Sequence, residues 1–271
     1  GEPIRIAESR TGFQPISLLS QTVGTFTADH QALLKSENGF LTITGLKPGD
    51  YSLKLADRLI SIKVTKGDVI GGWKVGRVHE PLASQHGTTR LAGPIFAGSI
   101  VVASGDSVID VPVFAGGFAA VEAEMLLRVA RPAADPASLD DAGILALINA
   151  VHVGIEIASS PFPGINTLGP LVTASDFGNN NGLIIGPALP DWQSRDLTKL
   201  HASLAINGVD QGEGDMSALP GGPIESVRFL LANLAARGLG GREPLWVSAG
   251  AITGVHVILP GSEAEACFDG T

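Results

Sequence analysis

The run Ala120-Val-Glu-Ala-Glu-Met-Leu-Leu-Arg128 sets two carboxylates, Glu122 and Glu124, inside an otherwise apolar segment. The segment has β-strand character, and residues two apart on a strand face the same side, so both acids project from one surface. Two like charges side by side raise the pKa of at least one of them and destabilise the sheet unless a cation lies nearby. The pair admits two readings: a solvated strand edge, or part of a site for a divalent metal ion.

A third acid bears on the choice. Val151-His-Val-Gly-Ile-Glu-Ile157 is another strand-like run, with Glu156 between two isoleucines. A carboxylate in such surroundings needs a cation or an arginine as partner. Three carboxylates on apolar strands make a ligand set suited to a hard divalent ion, magnesium or manganese. A single lysine, Lys74, stands between Trp73 and Val75 in Val69-Ile-Gly-Gly-Trp-Lys-Val-Gly76. In a pocket it holds an anionic substrate or carries a lowered pKa; on the wet face of a strand it does neither.

Two further stretches carry candidate chemistry. His79 and Glu80 are adjacent in the loop between Arg77 and Gly93, which also contains His86. They are a candidate general-base dyad, although neighbours in sequence do not generally face one another and loop histidines are commonly solvated. Asp176-Phe-Gly-Asn-Asn-Asn-Gly182 packs small polar residues just ahead of the apolar strand Leu183 to Gly186. That composition suits a ligand-binding turn led by Asp176, or an ordinary tight connection.

The chain divides in character near residue 68. Residues 1–67 read as short antiparallel strands, at Leu41 to Thr44, Tyr51 to Leu55 and Leu59 to Val64, with a turn at Gly45-Leu-Lys-Pro-Gly-Asp50. No catalytic constellation occurs there, so the segment reads as an accessory or oligomerisation module. Residues 68–271 alternate further strands with two helices. One helix is expected from an N-cap at Ser138, with Asp141 as its capping-box acid, through to about Ala150. The other starts at Pro223, buries Ile224, Val227, Leu230, Leu231 and Leu234, and stops at Gly238. Ile100 to Ala103 and Val108 to Val113 read as a hairpin turning at Ser104 to Ser107, and Leu200 to Asn207 as a strand ending in an Asn207-Gly208 turn. Gly238-Leu-Gly-Gly241 lies at the wrong end of a helix for a nucleotide loop. With 35 glycines, 17 prolines and 5% aromatics, the chain suits a turn-rich β architecture.

Other function classes are disfavoured. A formal net charge of -9 argues against nucleic acid as a partner. Cys267 is the only cysteine, which rules out an intrachain disulfide and favours the cytoplasm. No apolar run reaches the length of a membrane span, and the N-terminus lacks a signal pattern. The chain begins at Gly1, as a processed or truncated product would. There is no Gly-x-Ser-x-Gly elbow, no His-Glu-x-x-His and no Walker loop.

Six motifs occur in order: Gly-Gly-Trp-Lys-Val-Gly-Arg, Leu-Ala-Gly-Pro-Ile-Phe, Val-Glu-Ala-Glu, Gly-Ile-Glu-Ile, Asp-Phe-Gly-Asn-Asn-Asn-Gly and Ser-Ala-Gly-Ala-Ile-Thr-Gly. With them, residues 68–271 resemble the fumarylacetoacetate hydrolase superfamily, and within it the 2-keto-4-pentenoate hydratase and oxalocrotonate decarboxylase branch. The resemblance implies a mixed α/β, mostly β fold, a rolled β-sheet core with few flanking helices, preceded here by the β-rich N-terminal segment. It implies Mg2+ or Mn2+ held by Glu122, Glu124 and Glu156. Lys74 falls on the family's substrate-site lysine, Asp176, Asn180 and Thr253 join it as substrate contacts, and His79 with Glu80 remain candidate bases.

The implied activity is a hydro-lyase in aromatic-compound catabolism. It adds water to a short unsaturated 2-oxo acid such as 2-keto-4-pentenoate, in a cytoplasmic homo-oligomer. The alternatives are an acylpyruvate-type C–C hydrolase, a 2-oxo acid decarboxylase, or a binding protein that has kept the fold. The sequence departs from the family in three places. Its N-terminus reads β rather than helical, the residues before Phe96 are Ala-Gly-Pro where several members carry an acid, and the chain stops at Thr271, short of an expected final strand.

Overall fold

The structure is a computed structural model. It describes residues 69–104, 108–131, 133, 135–241 and 244–269, together with the backbone strands of residues 4–5, 33–37, 40–44, 49–55 and 58–64. The chain forms two compact units, Gly1–Asp68 and Val69–Thr271.

The first unit contains β1 (Ile4–Arg5), β2 (Leu33–Glu37), β3 (Phe40–Thr44), β4 (Gly49–Leu55) and β5 (Arg58–Val64). The first three form a sheet in the order β1-β3-β2, and the last two form a hairpin, all antiparallel. Residues 45–48 of the expected turn lie outside the described residues. Gly49 and Asp50 already belong to β4, where Gly49 pairs with Val64.

The second unit runs β6 (Ile70–Arg77), α1 (Leu82–His86), β7 (Arg90–Phe96), β8 (Ile100–Val102), β9 (Phe118–Val129), α2 (Asp141–Leu145), β10 (Ile148–Ser160), α3 (Pro170–Ser175) and β11 (Asn180–Ala188). It continues through β12 (His201–Ile206), β13 (Val209–Asp215), α4 (Gly222–Ala236), β14 (Leu245–Ala251), β15 (His256–Val257) and β16 (Ala264–Phe268). The main sheet has the order β7-β6-β14-β9-β10-β11-β8, with β15 extending the ladder on β9. It is mixed, since β14 pairs parallel to β6 and β8 parallel to β11. A smaller sheet has the order β13-β12-β16.

The period of two in β9 organises both faces. Ala123, Met125, Leu127 and Val129 enter the main core, where they meet Val151 and Val153 of β10, Val247 of β14 and the Val227, Leu230, Leu231 and Leu234 stripe of α4. The alternate residues Glu122, Glu124 and Leu126 face the other way. There Leu126 packs with Ile95 of β7 and with Leu183 and Ile185 of β11, strands far apart in the sheet order. That contact requires the sheet to curl, so the result is a half-barrel with helices outside and the acids on its inner face. Towards one end, Leu204 and Ile206 of β12 pack on Val121 and Ile157.

Four expectations need correction. The first helix is a single short turn capped by Asp140, whose side chain accepts from Gly143 N at 2.8 Å. Ser138 lies in a preceding 3-10 turn, and the residues expected to continue the helix instead begin β10, where Ile148 pairs with Val129. Ladder pairing there overrides local helix propensity. Second, Ile100 to Val102 pair with Leu183 to Ile185 rather than in a hairpin, and residues 108–113 form no strand. The expected turn at residues 105–107 lies outside the described residues. Third, the loop expected between Arg77 and Gly93 contains α1 and the start of β7. Fourth, a final strand is present: β16 pairs with β12 from Ala202 to Ile206.

Candidate metal and substrate site

β9 is hydrogen-bonded on both sides, so the reading of Glu122 and Glu124 as a wet strand edge fails. In the β9–β10 ladder Glu122 stands directly opposite Glu156, and Glu124 stands opposite Gly154. The three acids are buried, at 5%, 1% and 0% exposure for Glu122, Glu124 and Glu156. Each offers an oxygen, and these lie within 4.8 Å of one another.

Lys74 reaches into this cluster from β6. Its Nζ donates to Glu156 Oε1 at 2.9 Å, lies 3.9 Å from Glu122 Oε1, and donates to Asn179 Oδ1 at 3.4 Å. Burial alone would lower the pKa of this ammonium, but Glu122 and Glu156 outweigh burial and hold it above its ordinary value. The lowered pKa considered from its apolar neighbours is therefore reversed. Glu122 is pushed up to about 7, first by burial and further by Glu156, against the pull of Lys74. Glu124 is also raised, by burial and then by Glu156 and Glu122.

The three acids differ in what holds them. Glu124 Oε2 accepts from Ser248 Oγ and from Gly250 N, both at 2.8 Å. Both donors sit where the β14 ladder slips between Ser248 and Ala251. Glu156 Oε1 accepts from Lys74 and from Asn180 Nδ2 at 3.0 Å, whereas its Oε2 is buried with no partner. The one other such atom among the described residues is Thr253 Oγ1. Buried oxygens rarely go unsatisfied, and an orphan beside an acid cluster is an opening for a ligand.

The turn Phe177-Gly178-Asn179 covers Lys74. Asn179 accepts from Lys74 and its Nδ2 donates to Asn166 Oδ1 at 3.1 Å. Gly178, at φ 70°, lies against the Lys74 stem. Gly93 of β7 has its backbone directly under the turn, since a Cβ there would fall 1.9 Å from the Phe177 carbonyl oxygen.

Of the residues expected at the site, Lys74, Glu122, Glu124, Glu156 and Asn180 are brought together. The Thr253 hydroxyl is buried without a partner, and it is not in the converging set. His79 and Glu80 are exposed and outside the buried cluster, and Glu80 Oε2 accepts from Ser84 N at 3.2 Å beside α1. Asp176 serves the turn through its backbone, accepting from Asn179 N at 2.6 Å, and its carboxylate is not in the converging set. The reading by residues passed over Asn179, Ser248 and Gly250 as individuals. All three lie inside motifs that were recognised, so the signal was present without a role attached to each residue.

The donor set fits a divalent ion. Three ionised carboxylates and one ammonium leave a net charge of minus two (-3 + 1) in a buried volume. Such an excess is relieved by protons, as the raised Glu122 and Glu124 values indicate, or by a divalent cation, which neutralises it outright. All ligands are hard oxygens, as magnesium and manganese prefer.

No protein-family model matches this chain, and no curated protein matches it. Solved structures do. The 4-oxalocrotonate decarboxylase of Pseudomonas putida G7, complexed with calcium and acetate, superposes with a TM-score of 0.62 at 23% identity over 75% of each chain. The same enzyme complexed with magnesium and adipate matches equally. The fumarylpyruvate hydrolase of Pseudomonas aeruginosa, in complex with Mn2+ and pyruvate, gives 0.53 at 17% identity over 84% of this chain and 94% of that one. The 5-carboxymethyl-2-hydroxymuconate delta-isomerase of Mycobacterium smegmatis gives 0.53 at 15% identity over 88% and 93%. The class defined by the sheet order is thus a curled β half-barrel with a buried acid cluster. Its fold is that of the fumarylacetoacetate hydrolase superfamily, as the ordered motifs implied.

Proposed function

We propose that this protein is a divalent-metal-dependent enzyme acting on a short 2-oxo acid, with hydration of an unsaturated substrate such as 2-keto-4-pentenoate as its reaction. The observation that carries the reading is the convergence of Glu122, Glu124 and Glu156 around an unpartnered Glu156 oxygen, with one lysine at their side. Those three acids would hold Mg2+ or Mn2+. When bound, the ion supplies positive charge where negative charge develops on an enolate oxygen.

The chain's own residues supply the rest. Lys74 Nζ, kept protonated by the acids, presents N–H donors to a substrate carboxylate and acts as an anchor, not as a base. Asn179 and Asn180 orient Lys74 and Glu156, and Thr253 Oγ1 has a hydrogen bond to give to a ligand. The Phe177 to Asn179 turn covers the anchor and excludes water from it. In hydration the double bond of the substrate takes up one proton and one hydroxyl from water.

Decarboxylation is the second reading, favoured by the higher TM-score of the decarboxylase over the hydrolase and isomerase structures. Ultraviolet assays with 2-hydroxypentadienoate, acetylpyruvate and an oxalocrotonate analogue separate hydratase, C–C hydrolase and decarboxylase, and carbon dioxide release marks the last. Metal binding without turnover of any of the three would indicate a binding protein. The reading extends to a cytoplasmic homo-oligomer with no nucleic-acid or membrane partner. It is supported by the acidic charge and the lone cysteine, and among the described residues no helix is long and apolar enough to cross a membrane. Light scattering on the purified protein checks the oligomer.

A further inference from the structure

Ser226 lies on α4, on the opposite side of the sheet from the acids, and is completely buried. Its Oγ donates to the Ala249 carbonyl oxygen at 2.8 Å. It also accepts from Arg90 Nε at 3.4 Å. Arginine can only donate, so the hydroxyl proton of Ser226 is free to point only towards Ala249.

The Ala249 carbonyl and the Gly250 N–H belong to one planar peptide unit. On one side of the sheet its oxygen is held by Ser226; on the other its N–H donates to Glu124 Oε2 at 2.8 Å. Both groups sit where the β14 register against β9 slips between Ser248 and Ala251. Gly250 has φ 129°, a conformation open to glycine and rarely adopted by other residues, and this lets the peptide stand across the sheet. Both Ser248 and Gly250 bond the same oxygen of Glu124, which leaves Oε1 for a cation.

We infer that Ser226 is a positioning residue for Glu124: acting through the Ala249–Gly250 peptide, it fixes the donor that aims this carboxylate into the acid cluster. The inference rests on the proposed metal site for its consequence, though not for its geometry. A peptide anchored at one end only can rotate about its flanking bonds, and Glu124 then loses the donor that orders it. Outer partners of metal ligands commonly change affinity by roughly 10- to 100-fold, and a residue one step further out belongs at the lower end.

The test uses the full chain carrying Ser226→Ala, with Ser226→Cys as a second variant that keeps volume but weakens the donor, and Ser226→Thr to restore the hydroxyl. Alanine is smaller than serine and a better helix former, so α4 tolerates it. The first readout is the Gly250 amide in the metal-free protein, by nitrogen-15 NMR. A carboxylate-bonded N–H resonates downfield and exchanges slowly. In Ser226→Ala and Ser226→Cys that resonance should move upfield and exchange faster, and in Ser226→Thr it should return. The second readout is Mn2+ affinity by calorimetry, expected to fall about tenfold in the alanine variant and to recover with threonine. An unchanged Gly250 amide in Ser226→Ala overturns the inference, as does wild-type Mn2+ affinity in that variant. Absence of Mn2+ binding in the wild type, with the Gly250 shift as expected, would overturn the metal reading and leave the positioning role standing.

Discussion

At the residue scale the site is defined by what each carboxylate lacks. Glu156 has an unpartnered oxygen, and Glu122 Oε1 lies 3.9 Å from Lys74 Nζ, beyond hydrogen-bond distance. Replacing Glu122 or Glu156 by alanine should each weaken Mn2+ binding at least 100-fold in calorimetry; unchanged affinity in both would place the metal elsewhere. Lys74→Met should spare Mn2+ affinity far more than it spares 2-oxo acid binding, measured by competition with oxalate, because its charge serves the ligand's carboxylate. Glu156 was legible because two isoleucines flank it and no loop chemistry surrounds it. Asn179 was not, since nothing in Asp176-Phe-Gly-Asn-Asn-Asn-Gly182 distinguishes the asparagine that meets Lys74 from the one that meets Glu156. His79 and Glu80 show the opposite error: adjacency suggested a dyad, while the backbone sends both to the surface.

At the element scale, strands with alternating or continuous apolar text were readable, and their partners were not. The pattern of β9 announces two buried faces, but only the ladder shows that Glu122 meets Glu156 across it. β8 was misassigned because a three-residue strand carries no record of a parallel partner some eighty positions later in the chain. α4 was recognised from its stripe and its Pro223 start, and its packing makes a direct prediction. Leu230, fully buried in the main core, should cost about 2–5 kcal/mol when replaced by alanine, read from urea unfolding. Gly93→Ala should damage the site more than the fold. The added methyl meets the Phe177 carbonyl backbone, so the turn over Lys74 must lift, and oxalate competition should weaken with only a modest loss of melting temperature.

At the scale of the whole molecule, the buried acids link stability to pH and to metal. The folded metal-free chain binds a proton at Glu122 with a pKa of about 7 against an ordinary 4.5, and Glu124 is shifted in the same direction. A raised carboxylate stabilises the fold below its unfolded value, and this contribution is lost as pH rises through the folded value. The metal-free protein should therefore lose stability between about pH 4.5 and 7 on account of these groups. The ion competes with those protons, so its binding tightens over the same range. The melting-temperature gain on adding Mn2+ should consequently grow from pH 5.5 to pH 8, and saturation at a hundredfold over Kd corresponds to about 2.7 kcal/mol. A gain that shrinks with rising pH in differential scanning calorimetry would contradict the assignment of the acids as ligands.

The same cluster joins parts of the chain that are remote in sequence, with Lys74 separated from Asn179 by 105 positions and Glu124 from Ser248 by 124. The β9–β10 ladder alone carries all three acids, but the donors that hold Glu124 come from β14 and the lysine beside Glu156 comes from β6. If the acids hold Mn2+ as proposed, tight capture thus waits until β14 and β6 have closed on that ladder. In stopped-flow refolding, the paramagnetic quench of a bound ion should follow the slowest tryptophan phase and never precede it.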